Sequence, residues 1–403
     1  MTAPETNTEL RVDKWIYGGD ALGRLNGQVV LAPFAIPGEK LRIQLERLRP
    51  DLIRASVVEI LEASPERVSP KCPYFGSCGG CHYQHASYPA QLEHKVLILR
   101  DVFRRIGKIE APETIRTLHA EPWGYRNRVQ LHFQGRQLGY MEAGGQRFRP
   151  VDQCPVASPK LQQVMDTLRG MLRERRWPRF LRSMEVFTNE EDVQFNVLES
   201  DQPVARRFFD WCSEQIPGSG ASWLDYRTSS DVFRVSHRSF FQVNRFLVDA
   251  LAESALAGAR GETAWDLYAG VGLFSLPLAR RFRSVTAVES GFGAANDLEF
   301  NAQRAGLPLH TRRCTVEDFL DNETHPPDFV LADPPRAGLG KRNVRNLLRL
   351  QPRLLTIVAC DPATLARDAA ALIQGGYRLE SLTFIDLFPQ TFHLETIAEL
   401  RRA

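Results

Sequence analysis

The stretch AWDLYAGVGLFSLPLA, residues 264–279, reads as a short buried strand, a glycine turn and the start of a helix. That is the repeating unit of doubly wound sheets, which take their ligands at the carboxyl ends of the strands. Gly270 and Gly272 open space at that end, because glycine tolerates positive φ and brings no side chain. The turn is not the dinucleotide fingerprint G-x-G-x-x-G, since Ser275 stands at the third glycine position, and no Gly-Lys-Ser/Thr follows to make a phosphate loop. The same strand, turn, helix rhythm continues through SVTAVES (284–290), AANDLEFNAQRAG (294–306), PDFVLADPPRAG (327–338) and LLTIVACDP (354–362). Such alternation predicts a Rossmann-like α/β domain over residues 223–403, a parallel sheet with helices on both faces.

Upstream the pattern changes. From about residue 8 to 62, short apolar runs alternate with turn signals at Gly18, Gly19, Gly27 and Gly38, the pattern of an OB-like β-barrel filling a domain 1–63. Barrels of this kind often grip nucleic acid, and as often are only structural. SPERVSPKCP (64–73) leads into a central α+β domain, residues 64–222. Helices are expected there over Tyr88–Ile106, Leu161–Arg175 and Val204–Ile216, with strands at NRVQLHF (127–133) and MEVFTN (184–189). A chain of 403 residues is long enough for these three domains.

Composition excludes little else. No stretch approaches the roughly 18 apolar residues of a membrane span, and MTAPETNTEL lacks the basic start and apolar run of a leader. A cytoplasmic protein without a membrane partner is expected. The net charge of +3 neither requires nor excludes a polyanion. Of 51 basic residues seven are Lys and 44 Arg, which suits phosphate and base contacts and equally follows from GC-rich coding. Seven cysteines, an odd number, fit a reducing compartment better than a disulfide scaffold.

Three of them, Cys72, Cys78 and Cys81, stand as C-x5-C-x2-C among Gly76, Gly79 and Gly80, which let the backbone wrap a bound centre. Cys154, flanked by Pro155, is a fourth candidate ligand. Four thiolates hold either a 4Fe–4S cluster, placed first here, or zinc. Cys212 and Cys314 read as ordinary buried thiols.

Glu289 closes the strand after the glycine turn, 19 positions beyond Gly270. An acid there can accept both hydroxyl protons of a ribose, which with ADPP on a later strand favours S-adenosylmethionine over a dinucleotide. In ADPPRAG (332–338), Asp333 and two prolines make a rigid rim. No aromatic residue follows the prolines and no cysteine lies in the motif, so a target amine and a target cytosine both recede.

Carbon 5 of uracil is too weak a nucleophile to take a methyl group unaided. A thiolate added at carbon 6 turns the ring into an enolate with carbanion character at carbon 5. Cys360, at a strand end in VACDPATLARD (358–368), is placed to supply that thiolate. The carbon 5 proton must then leave to a general base, for which LFPQTFHLETIAEL (387–400) offers His393 and Glu395, on one face of the final strand by alternation.

These motifs carry a resemblance. CPYFGSCGGCHYQH, YRNRVQLHF, SFFQVN, DLYAGVGLFSLPLA, ADPPRAG, ACDPATLARD and FPQTFHLET occur in the order seen in the RNA uracil-5 methyltransferase family, over nearly the whole chain. The barrel that contains YGGDALGRLNG (17–27) resembles a TRAM domain, and the domain 223–403 resembles a class I methyltransferase. The resemblance implies Cys360 as nucleophile and Glu395 as base. It also implies cluster ligands Cys72, Cys78, Cys81 and Cys154. Cofactor contacts would fall on Gln242, Tyr268, Glu289, Asp333 and Thr315 beside the turn glycine Gly270, while Leu273 replaces an Asn common in relatives.

The implied partner is RNA with its target uridine turned out of the stack, and no protein partner is implied. Relatives with both barrel and cluster include enzymes of 23S ribosomal RNA, which is favoured over transfer RNA; a non-catalytic RNA-binding or assembly factor is the rival class. Tyr125, Arg126, Asn127 and Arg128 combine stacking and phosphate-binding groups, which suits RNA and equally fits a strand edge with solvated charges.

Overall fold

The computed structural model describes residues 8–49, 52–145 and 147–403; residues 1–7, on which the expectation of no leader rests, lie outside it. The chain divides into two compact units. The first comprises Met1–Val102, Met141–Arg149 and Phe388–His393, and the second Phe103–Tyr140, Pro150–Leu387 and Leu394–Ala403.

In the first unit β1 (Thr8–Trp15), β2 (Asp20–Leu25), β3 (Gln28–Pro33), β4 (Lys40–Arg49) and β5 (Leu52–Glu62) close into a barrel in the order β1-β2-β3-β5-β4. Alternation puts Leu10, Val12, Ala21, Val30, Leu41 and Ile43 inside. Glu39 is wholly buried and accepts both arms of Arg67, at 2.6 and 2.7 Å, which compensates its charge. Trp15 donates to Ala35 O at 2.7 Å and stacks on Tyr83, ring centroids 4.0 Å apart, tying the barrel to the cysteine-bearing loop. The expected helix 88–106 is α1 (Tyr88–Val102), continued in the second unit by one π-helical turn to Gly107. A Cβ on Gly107 would come within 2.9 Å of Ala366 O, so close packing reshapes that last turn.

Along the chain follow β6 (Arg116–Leu118), β7 (Arg128–Gln134), β8 (Gln137–Met141) and β9 (Phe148–Pro150), of which Met141, Phe148 and Arg149 belong to the first unit, then β10 (Leu181–Thr188) and β11 (Val193–Ser200). Strands β11, β10, β7 and β8 lie side by side, antiparallel. The expected helices are α2 (Pro159–Met171) and α3 (Arg206–Gln215), each shorter than expected. Ser158 caps α2 by accepting from Leu161 N and Pro159 opens it. A hairpin of β12 (Trp223–Arg227) and β13 (Val232–Ser236) precedes α4 (Val248–Ala255).

The main sheet contains β14 (Thr263–Leu267), β15 (Ser284–Val288), β16 (His310–Arg312), β17 (Phe329–Ala332), β18 (Leu354–Ala359), β19 (Tyr377–Ile385) and β20 (Glu395–Arg402). Its order is β16-β15-β14-β17-β18-β20-β19-β6. Pairings from β16 to β18 are parallel, and β20 enters antiparallel to both neighbours. Every residue of β17 and β18 is buried, the near-continuous apolar run of strands covered on both faces. Connecting them are α5 (Ser275–Arg281), α6 (Phe292–Ala305), α7 (Val316–Asn322), α8 (Gly340–Leu350) and α9 (Pro362–Gln374). Strand order reverses between β14 and β17, which makes their carboxyl ends the crevice of this sheet.

Candidate active site

At the end of β14 the backbone enters positive φ three times, at Tyr268 (65°), Gly270 (55°) and Gly272 (100°). Gly270 faces open space, whereas a Cβ on Gly272 would lie 2.8 Å from Leu298 Cδ1. The first glycine leaves room and the second lets α6 pack. Tyr268, bearing a side chain in the left-handed region, is held by its neighbours: Asn343 Nδ2 donates to its hydroxyl at 2.9 Å and to Glu317 Oε1 at 3.0 Å.

Glu289, one residue beyond β15, accepts from Gly270 N at 2.9 Å and from Gly291 N at 2.6 Å. Tyr268, Glu289 and Thr315 line one cavity of ≈ 380 Å³, together with Glu317, Pro335 and Gly338. That is a volume suited to a small cofactor. Gln242, Gly270 and Asp333 do not line it. Thr315 also caps α7, its hydroxyl accepting from Asp318 N at 3.1 Å. Cys314, expected to be an ordinary buried thiol, is half-buried and lines the same cavity; Cys212 is buried as expected.

Gln242 is buried in the loop Ser239–Asn244, and here the expectation fails for three of the four residues Tyr125–Arg128, Arg126 remaining half-buried. Tyr125, Asn127 and Arg128 are buried and therefore unavailable to RNA. Arg128 donates twice to Ser239 O at 3.1 Å and lies over the Phe187 ring at 4.1 Å. Asn127 N donates to Val243 O at 3.0 Å, and Arg245 N returns a bond to Tyr125 O at 3.0 Å. The run clamps the Gln242 loop. Its charges look solvated in the sequence because the partners of Arg128, Phe187 and Ser239, lie far along the chain.

The reactive groups gather at the crevice. In the pairing of β18 with β20, Ala359 stands opposite Thr396; Cys360 follows the end of β18 and Glu395 begins β20, close enough for the carboxyl to act on the thiol. One residue past Ala332, Asp333 leaves β17 and donates its N–H to Leu267 O at 3.2 Å. Asp361 then caps α9, accepting from Ala363 N and Thr364 N at 2.9 and 3.0 Å, with Pro362 in the first turn. The motif Cys-Asp-Pro thus ends a strand and starts a helix, leaving the thiol at the junction.

Burial, then Glu395, pushes the Cys360 thiol up to about 11, Asp333 adding to the rise and Arg336 opposing it. Glu395 is buried, and that burial together with Asp333 holds its carboxyl well above the ordinary range. Asp333 is raised by burial of its carboxyl. Deeper on β14, Asp266 rises to about 7 through burial despite its bond from Ser275 Oγ, with Asp333 and Glu289 adding to the rise. Sequence reading missed this Asp266–Ser275 pair, which Ser275 in place of a third glycine could have signalled. The cluster of acids favours a cation in the crevice.

His393 does not share a strand face with Glu395: β20 begins at Glu395, and His393 belongs to the first unit. Cys72, Cys78 and Cys81 lie half-buried in the first unit, Cys154 half-buried in the second. Gln84 Oε1 accepts from Cys72 N at 3.0 Å, Gln162 Oε1 from Cys154 N at 2.9 Å, and Gly79 N donates to Met141 O at 3.0 Å. In ligand chemistry, the three thiols on the loop of the first unit are of the type that suits a thiophilic centre. Among the described residues no set of three or more His, Cys, Asp or Glu side chains is grouped to hold a metal ion. Nor is any described helix long and apolar enough to cross a membrane.

Residues 312–403 match the family described as tRNA (Uracil-5-)-methyltransferase. The chain is 33% identical to a 23S rRNA (uracil(1939)-C(5))-methyltransferase of Chromohalobacter salexigens, over 98% of this chain and 89% of that protein. It is 31% identical to a protein of the same description from Shewanella, over 96% and 94%. Among solved structures it resembles the tRNA (uracil-54, C5)-methyltransferase of Pyrococcus abyssi in complex with S-adenosyl-L-homocysteine, with 25% identity and a TM-score of 0.78, covering 97% of this chain and 99% of the other.

Proposed function

The chain belongs to the RNA uracil-5 methyltransferase family, and on that premise we propose that it methylates carbon 5 of a uridine in 23S ribosomal RNA through Cys360 and Glu395. The observation that carries the reading is the nearness of Cys360, Glu395 and Asp333 to one another at the strand ends. The Cys360 thiolate adds to carbon 6, and the ring electrons move onto the carbonyl oxygen at carbon 4. Carbon 5 then attacks the sulfonium methyl, releasing S-adenosylhomocysteine. Glu395 takes the carbon 5 proton, and the electrons of that bond restore the ring double bond and expel the thiolate. A methyl group has replaced one hydrogen.

In this reading Tyr268, Gly270, Glu289, Thr315 and Asp333 surround S-adenosylmethionine, with Gln242 presented by its clamped loop. The acids at the crevice favour the cationic donor over its neutral product. The OB-like barrel, domain 1–63, would bind RNA, 64–222 would be the central domain and 223–403 the methyltransferase domain, and the protein would act in the cytoplasm. Cys72, Cys78, Cys81 and Cys154 would hold a 4Fe–4S cluster, or zinc, whose contribution would be to the fold or to RNA docking.

Transfer RNA is the second reading, favoured by the likeness to the Pyrococcus enzyme. Incubation with labelled donor and separated RNA classes, followed by nucleoside analysis, tests both. 5-Methyluridine confined to 23S RNA supports the first reading and confined to transfer RNA the second; its absence from every class would favour a non-catalytic RNA-binding factor.

A further inference from the structure

The six residues that immediately precede Leu394 and Glu395, FPQTFH (388–393), belong to the unit that carries Cys72, Cys78 and Cys81, whereas Glu395 belongs to the other. What fastens the six is specific. Gln91, fully buried on α1, donates through Nε2 to Gln390 Oε1 at 2.9 Å, and its Oε1 accepts from Gln390 N at 3.1 Å. The same Nε2 reaches Ala86 O at 2.9 Å and Tyr83 O at 3.1 Å. Gln390, at φ 67°, turns its carbonyl to accept from His82 N at 2.8 Å and Tyr83 N at 3.0 Å, the two residues after Cys81. Lys95, also fully buried, donates to Phe388 O at 3.1 Å. A strained left-handed residue persists only where its surroundings over-determine it.

We propose that Gln91 is a positioning residue for Glu395: its reciprocal pair with Gln390 fixes the chain five residues ahead of the base, and so couples the cysteine-bearing loop to the proton-abstraction step. The inference rests on the proposed roles of Cys360 and Glu395. It gives the cysteine loop a task that needs no redox chemistry, since the peptide bonds that follow Cys81 hold Gln390 directly.

The test separates the two halves of the reaction. Methyl transfer needs Cys360 and the donor, whereas release of RNA needs the base. In a single turnover with labelled donor and 23S RNA, Gln91→Met and Gln390→Ala should transfer the methyl group at a rate near the parent's. Release of free methylated RNA should slow about tenfold or more, with a methylated protein–RNA adduct surviving on a denaturing gel. Binding of S-adenosylhomocysteine should stay within about twofold of the parent. Using two variants on opposite sides of the pair guards against one that fails to fold. Parent-like release in a folded variant would overturn the proposal, as would methyl transfer and release falling together without adduct. Glu395→Gln is the control. If it traps adduct and neither variant does, the positioning role alone is wrong; if it does not trap, the reading of Glu395 is wrong and the inference falls with it.

Discussion

Cys360, one residue past the Ala359–Thr396 pair, lies within electrostatic reach of Glu395, whose carboxyl raises the thiol. Glu395 thus disfavours the thiolate, and Asp333 raises both groups. A bound sulfonium changes the balance, because a positive charge favours both anions.

Cys360 should therefore titrate late and respond to ligand charge. With the thiol raised to about 11, the thiolate fraction in the unliganded protein grows tenfold per pH unit across pH 7–10. Peptide-resolved alkylation should follow that slope. S-Adenosylmethionine should lower the midpoint more than S-adenosylhomocysteine does. A flat profile, or equal effects of the two ligands, contradicts this.

The buried Asp266 should make stability fall as pH rises. Its carboxyl titrates near 7 in the fold against the ordinary 3.8, so the folded state holds the proton more tightly. The stabilising contribution is complete below about pH 4 and lost through pH 7. Asp266→Asn removes the titration, and between pH 4 and 8 its melting temperature relative to the parent should rise, by the equivalent of on the order of 3 kcal/mol. An unchanging gap would show that Asp266 is charged throughout.

Gly272→Ala should destabilise by about 1–3 kcal/mol in denaturant unfolding, because the position combines φ 100° with a Cβ contact of 2.8 Å to Leu298. At Gly270, with φ 55° and open space, alanine should cost less stability and act mainly on cofactor affinity. Equal stability losses at the two sites would contradict the division of labour between these glycines.

Arg128→Met should loosen the loop that carries Gln242. It removes two bonds to Ser239 O and the stacking on Phe187, a loss of about 2–4 kcal/mol for a buried hydrogen-bonded cation. Its cofactor affinity should weaken, while the salt dependence of RNA binding stays that of the parent, since a buried guanidinium neutralises no phosphate. A shallower salt slope would return Arg128 to the RNA surface.

The α/β domain was legible because its signals are local: the glycine turn at 270–272, the acid at Glu289 and the Cys-Asp-Pro junction each announce themselves within a few residues. Cys360 and Glu395 were named from chemistry and resemblance, but their approach depends on the pairing of β18 with β20, which no local pattern specifies. Long-range partners hid the rest. The GYRNRV run reads as solvated charge until Ser239 and Phe187 cover it. His393 reads as strand until the loop before it is drawn into the other unit. Asn343, which holds Tyr268 and Glu317, sits on α8 with nothing in the helical pattern to mark it.

The sulfur–carbon bond is the most direct object of measurement. In RNA carrying 5-fluorouridine at the target, fluorine replaces the proton Glu395 must remove, so the reaction should stop after methyl transfer. Mass spectrometry of the digested complex should find a methylated 5-fluorouracil nucleotide on the peptide containing Cys360, and none with Cys360→Ala. An adduct at another residue, or continued methylation of ordinary RNA by Cys360→Ala, would contradict the account.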